Sequence, residues 1–409
     1  MSTENGRSIP LQAAPSPRQK KQQRERLLIV LTVALVVGAW IFGYFTSGTD
    51  VAPLVPDLLP GTAEVRTEGA VFVALAEDGT LLGYAALGSA PGYGGPIDML
   101  VAIDPSGAIV GTQVVTERES PGFFRLVTSS NLVEGYNGRS VTDALQLGED
   151  LDVITGATIS AEGVAAAVRA ATRQIANEAL NVSLPAEQKP IQFSWPEAIL
   201  LLLFASGYLT HKWHNRKWKM RTRWGTLIAG MIFLGFVYTM PLTITMIISL
   251  LSGYWPDWHN NLYWYLLIGG ILFVTTVDAK NPYCSWFCPF GAFQECVAAI
   301  SKAKPYRPRD LSDVLKWVQR GLALTAIVLG LALRRPGVAS YEPFATLFDL
   351  RGTAVQWIFL IIIVLASLVT YRPFCNFLCP LDPVVDFIAA TRRWLKEGWK
   401  RWRKQPANA

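Results

Sequence analysis

Residues Leu27–Phe45, LLIVLTVALVVGAWIFGYF, run for 19 positions without a charge. At about 1.5 Å per residue a helix of that length crosses the ~30 Å hydrocarbon core of a bilayer. Arg18, Lys20, Lys21, Arg24 and Arg26 precede the run, as in a signal peptide. Its length, and TSGTD in place of a small-x-small cleavage site, read instead as an uncleaved anchor. Further apolar stretches at roughly 193–210, 225–253, 261–278, 318–334 and 354–371 bring the expected spans to six. They account for the 51% hydrophobic content of a 409-residue chain.

Charge orients these spans. The connectors 211–224 (opening HKWHNRKWKMRTR) and 302–320 are basic, as is the tail carrying Arg392, Arg393, Lys396, Lys400, Arg401, Arg403 and Lys404. Positive residues stay inside, so both termini are expected in the cytoplasm of a bacterial inner-membrane protein. The layout read from this is a cytoplasmic N-terminus (1–26), an anchor (27–46), an exported domain (47–190), a bundle of five helices (191–390) and a cytoplasmic tail (391–409). The exported stretch holds 18 acidic against 7 basic residues, a net of −11, which leaves +17 of the total +6 on the rest. Topology explains that asymmetry better than a nucleic-acid surface does, and no nucleic-acid partner is expected.

Residues 47–190 read as an α+β domain. AVFVALAEDGTLLGYAAL (70–87) and DMLVAIDPSGAIVGTQVV (98–115) are strand-length apolar runs broken by Asp-Gly and Pro-Ser-Gly turns. Beyond residue 160, Val164, Val168, Ala171 and Ile175 fall at helical spacing. The region has no cysteine, so disulfides do not hold it.

The membrane part contains a repeat. NPYCSWFCPFGAFQECVAAI (281–300) and YRPFCNFLCPLDPVVDFIAA (371–390) align at a constant offset of 91 positions. Cys284 meets Cys375, Cys288 meets Cys379 and Pro289 meets Pro380. Two hairpins ending in Cys-x-x-x-Cys-Pro imply a pseudo-twofold axis along the membrane normal, which would gather the four cysteines near the cytoplasmic face. Cys296, opposite Phe387, reads as a buried packing residue. Inert core, a disulfide relay, a metal site and an iron–sulfur cluster are all open to such pairs. Thiolates suit soft Cu(I) and iron–sulfur centres, and two pairs complete a four-thiolate shell that one cannot. A redox metal site at Cys284, Cys288, Cys375 and Cys379 is the expectation, its type left open.

DVITGATIS (152–160) raises a second chemistry. Gly156 allows close backbone approach and Ala157 adds little bulk, while a helix starting near Ser160 offers free amides to an anion. A phosphoryl group on Thr158 would be comfortable there; an ordinary helix N-cap reads the same way.

With Asp152, Thr155, Gly156, Ala157 and Thr158 in register, DVITGATIS resembles the Asp-x-x-(Ser/Thr)-Gly-Ala-Thr signature of FMN-binding domains in Rnf and Na+-translocating NADH:quinone reductase subunits. The resemblance implies FMN joined through a phosphoester to Thr158 by a flavin transferase. GYGGPIDMLVAID (92–104) and ESPGFF (119–124) are similar to further signatures of that domain, and place Glu119, Ser120, Pro121, Gly122 and Ser160 beside the flavin. For Glu119 an exposed loop acid is the competing reading. The whole layout resembles the NosR/NirI family of membrane flavoproteins, including PceC-like members. Many of those continue into cytoplasmic ferredoxin modules, whereas this chain stops after a basic tail, so a separate donor or quinol is expected to feed it. The resemblance implies electron transfer from quinol or a cytoplasmic donor to covalent FMN, and on to an exported respiratory enzyme or its maturation. The alternative is a regulatory protein handling Cu(I) or reducing cupric ion. One gap needs closing: inner cysteines and an outer flavin leave ~30 Å of hydrocarbon between them. A deeper cluster, a docked flavin domain or a bridging quinone would close it. His211 and His214 read as part of a topogenic loop, and His259 as part of an interfacial aromatic belt ahead of a quinol ligand.

Overall fold

The computed structural model describes residues 17–404 except 47, 49, 93, 120, 149–157, 185–190, 192, 212–213, 260, 279–282 and 304–308. Helix α1 (Pro17–Thr46) carries the first apolar run, and the short α2 (Val55–Leu58) leads into a sheet. The strands are β1 (Glu64–Glu68), β2 (Val71–Leu75), β3 (Leu81–Pro91), β4 (Pro96–Ile103) and β5 (Ile109–Glu117). They form an antiparallel meander in sequence order. Its turns follow local chemistry. Asp78 Oδ1 accepts the Thr80 amide at 3.0 Å, and Asp104 Oδ1 accepts the Ser106 and Ala108 amides at 2.9 Å each. Gly79 (φ +80°) and Gly107 (φ +91°) take the left-handed positions those turns require.

After α3 (Pro121–Thr128), helix α4 (Thr158–Glu178) lies across the sheet. Val164, Val168, Ala171 and Ile175 are fully buried against it, at the spacing the sequence showed. The approach is close: a Cβ on Gly88 of β3 would stand 1.9 Å from the Ala167 carbonyl oxygen. The opposite face of the sheet packs on Val51, Val55 and Leu59.

The second half is helical: α5 (Trp195–His211), α6 (Arg216–Gly230), α7 (Ile244–Ser252), α8 (Leu262–Asp278), α9 (Pro289–Ser301) and α10 (Arg309–Ala332). It continues with α11 (Phe344–Phe348), α12 (Ala354–Val369), α13 (Pro373–Phe377) and α14 (Leu381–Lys404). Among the described residues, two helical stretches are long and apolar enough to cross a bilayer, Gln22–Thr46 and Ser312–Ala332. Trp195–Thr210, Leu262–Thr276 and Ala354–Val369 are apolar but shorter. Outward side chains of α12 such as Val355, Ile358, Ile362 and Leu365 are exposed, a surface that water alone would not favour.

The stretch expected as one span at 225–253 is not one helix. α6 passes into a π-helical turn at Met231–Val237, and a break at 238–243 precedes α7. Thr239 has φ +49°, and Pro241 has no amide hydrogen to continue a helix. The Tyr283 hydroxyl accepts the Leu242 amide at 2.8 Å and Glu342 accepts that of Ile244, satisfying backbone groups the break exposes.

Candidate functional site

The repeat is geometric as well as textual. The Cys288 amide donates to the Tyr283 carbonyl at 2.8 Å, and the Cys379 amide to the equivalent Phe374 carbonyl, also at 2.8 Å. Pro289 and Pro380 then restart the chain as α9 and α14. α9 packs on α12 and α14 on α8, so each cysteine–proline helix leans on the hairpin of the other copy. Close packing at this point needs Gly230, where a Cβ would sit 2.3 Å from the Phe287 carbonyl oxygen.

Cys288 and Cys379 are buried in one apolar core, Cys284 packs against it, and Cys375 follows Phe374, which belongs to it. Gln294, fully buried, donates to Cys375 Sγ at 3.1 Å and accepts the Phe374 amide at 3.0 Å. Gln319, near the middle of α10, donates to the carbonyls of Cys375 (3.3 Å) and Cys379 (2.9 Å). Arg372 donates to the Cys284 carbonyl at 2.9 Å and pairs with buried Glu295 at 2.6 Å; Arg223 pairs with the same carboxylate. Among the described residues no three His, Cys, Asp or Glu side chains come close enough to share one metal ion. Cys284 and Cys375 are half-buried beside the buried Cys288 and Cys379, and soft thiols of this kind suit iron–sulfur or Cu(I) centres. Cys296 is half-buried rather than buried, on α9 beside Glu295.

In the sheet domain, Glu119 lies between three elements. It is 3% exposed, which removes the exposed-loop reading. Its oxygens accept the Gly94 amide at 3.1 Å each, and Oε2 also accepts the Ser160 hydroxyl at 3.0 Å. Burial pushes its carboxyl up to about 7; the Gly94 and Ser160 hydrogen bonds act in the opposite direction without cancelling it. Gly163 lets α4 settle onto the β3–β4 loop, where a Cβ would meet the Pro91 carbonyl oxygen at 3.0 Å. Glu119 thus ties the loop after β3, the loop after β5 and the first turn of α4 together. Thr158 is the first residue of α4. Asp152, Thr155, Gly156, Ala157 and Ser120 lie outside the described residues, and Pro121 and Gly122 open α3.

Two arginines that sequence reading passed over join the domains. Arg118 donates to the Tyr254 hydroxyl at 2.7 Å and Arg334 at 2.5 Å, and both guanidinium groups stand over the Tyr254 ring. The loop after β5 is thereby held against the helical half. His259 pairs with Asp257 at 2.8 Å and lies against Trp258.

Comparison with known proteins assigns chemistry to both regions. A family model described as an FMN-binding domain matches residues 92–173, spanning Glu119 and Thr158. A second, described as a 4Fe-4S binding domain, matches 260–308 and 355–401, one segment for each cysteine pair. The regulatory protein NosR of Stutzerimonas stutzeri is 25% identical over 54% of this chain and 32% of its own length. Protein NirI of Paracoccus denitrificans is 26% identical over 45% of the chain and 28% of its own length. The chain is NosR/NirI-like. A component of the ion-translocating oxidoreductase complex of Cereibacter sphaeroides adds 33% identity over 28% of the chain and 61% of its own length. The NosR/NirI-like chain spans about a third of the length of the NosR relatives it matches. Its matches are to an FMN-binding domain and, over both cysteine segments, a 4Fe-4S binding domain, on a chain with two described helical stretches long and apolar enough to cross a bilayer.

Proposed function

We propose that this chain passes electrons between a quinol or cytoplasmic donor and an exported redox enzyme or its maturation, at the bacterial cytoplasmic membrane. Six spans would set both termini in the cytoplasm and the sheet domain outside. FMN, attached by a flavin transferase through a phosphoester to Thr158, would supply one- and two-electron chemistry, and an iron–sulfur cluster on Cys284, Cys288, Cys375 and Cys379 would supply single-electron transfer.

The observation that carries this reading is one chain with an FMN-binding match over a helix opening at Thr158 and a 4Fe-4S match over two paired-cysteine copies. This chain's residues do the rest. The first turn of α4 presents amides where an anion is stabilised. Glu119 holds that turn and the Gly94 loop in register. A carboxyl pushed up to about 7 by burial is partly protonated at neutral pH, so it repels a phosphate less than an ordinary carboxylate would. Gln294, Gln319 and Arg372 fix the backbone and one sulfur of the cysteine pairs. The Arg118–Tyr254–Arg334 contact keeps the sheet domain close to the bundle, which would shorten the path between the two cofactors.

In-gel flavin fluorescence after denaturation tests the attachment, using full-length protein produced with a flavin transferase. Wild type should give a fluorescent band and Thr158→Ala should not; a band surviving that substitution overturns the assignment. Iron and acid-labile sulfide should be present in wild type and lost in Cys288→Ser. Stoichiometric copper without iron would replace the cluster with the copper-handling reading.

A further inference from the structure

A cavity of about 590 Å³ lies between the sheet domain and the helical half. Its roof includes Arg125 and Leu126 of α3, the helix that follows the Glu119 loop. Its floor includes Phe344, whose ring lies 5.1 Å from Phe290 and 6.1 Å from Phe374, neighbours in sequence of Cys288 and Cys375. Beside the floor, the Tyr341 hydroxyl donates to the Leu378 carbonyl, next to Cys379, at 2.8 Å. The cavity thus separates the two regions to which redox cofactors are assigned, and its occupant would touch the walls of both.

The lining narrows what that occupant is. Its volume falls within the ~300–1,000 Å³ typical of small-molecule sites. Phe344, Phe348 and Trp357 offer flat apolar walls suited to a ring. Two arginines, Arg125 and Arg351, share the lining with two acids, Glu342 and Asp349. Glu342 is 6% exposed and projects from the loop before α11; its oxygens accept the Ile244 amide at 3.0 and 3.1 Å, leaving lone pairs for a hydroxyl donor. Leu350 on the lining is 69% exposed, and the helix beyond it, α12, turns Val355 and Ile358 outward.

We propose that this cavity binds the head group of a lipid-soluble quinol or quinone, with Glu342 accepting a hydrogen bond from a ring hydroxyl and Trp357 and Phe344 enclosing the ring. This rests on the electron-transfer reading above and gives it a donor site, set between the flavin domain and the cysteine core. A phospholipid head group is the rival occupant, and the flat walls of Phe344, Phe348 and Trp357 favour a ring over its phosphate.

Equilibrium binding of a radiolabelled decyl-benzoquinone to purified full-length protein in detergent provides the test. Wild type should bind saturably, and both Trp357→Leu and Glu342→Gln should weaken binding tenfold or more. Glutamine keeps an oxygen for the Ile244 amide, and unchanged covalent flavin fluorescence and iron content in each variant would show that the fold persists. Thr158→Ala should bind the quinone like wild type, so failure of the flavin assignment and failure of this site read out separately. Wild-type affinity in both lining variants would overturn the proposal. So would quinone binding abolished by added phospholipid in wild type, which would make the cavity a lipid seat.

Discussion

Glu119→Gln probes the most constrained group in the sheet domain. The carboxyl titrates near 7 in the folded chain against an ordinary 4.5. Between those values the folded state holds a proton that the unfolded chain has released. Stability from this group is therefore fully present below about pH 4.5 and is lost as pH rises through 7. At ~1.4 kcal/mol for each pH unit, the gap amounts to about 3 kcal/mol. Desolvation dominates, and the neighbouring Glu117 carboxylate adds to it in the same direction. Glutamine keeps an acceptor for the Gly94 amide but has no proton to lose. Hydrogen–deuterium exchange of the full-length protein, corrected for intrinsic rates, reads the opening free energy of peptides from the β3–β4 loop and the first turn of α4. In wild type that free energy should fall by about 3 kcal/mol between pH 4.5 and 8, and in Glu119→Gln it should stay nearly flat. Equal slopes in the two proteins would refute burial as the cause.

Other perturbations follow from close contacts. Gly88→Ala drives a methyl into the Ala167 carbonyl and should cost about 3 kcal/mol or more, seen as a fall of roughly 10 °C in the unfolding of the sheet domain. Glu295→Ala leaves Arg223 and the largely buried Arg372 without their shared carboxylate. A loss of about 3–5 kcal/mol is expected, measured as thermal stability in detergent together with iron retention. Tyr254→Ala removes hydrogen bonds from Arg118 and Arg334; exchange of peptides around residues 115–128 should rise while flavin fluorescence stays constant.

The meander was legible because its signals are local: apolar runs of strand length, an Asp-Gly turn and a Pro-Ser-Gly turn each act over a few residues. Helix α4 was legible from Val164, Val168, Ala171 and Ile175, and the cysteine repeat from its constant offset. The break between α6 and α7 was not. Its stretch is apolar throughout, and the partners that satisfy its amides, Tyr283 and Glu342, come from distant parts of the chain. Glu119 was ambiguous because an acid in a Ser-Pro-Gly context reads as exposed until Gly94 and Ser160 close over it. The Arg118–Tyr254–Arg334 contact joins residues far apart in sequence, with no pattern to mark them.

Gln294 has a consequence for how the paired-cysteine unit can change. It donates to Cys375 from α9, and the position 91 residues on is Val385, which has no such group to offer. A unit assembled at a twofold axis from two identical chains must accept every substitution twice, once on each side. Here both halves are covalently continuous, so each wall is free to mutate alone. The two cysteine pairs are no longer interchangeable parts, and a chain rebuilt from two copies of either half would not reproduce the surroundings that this one has.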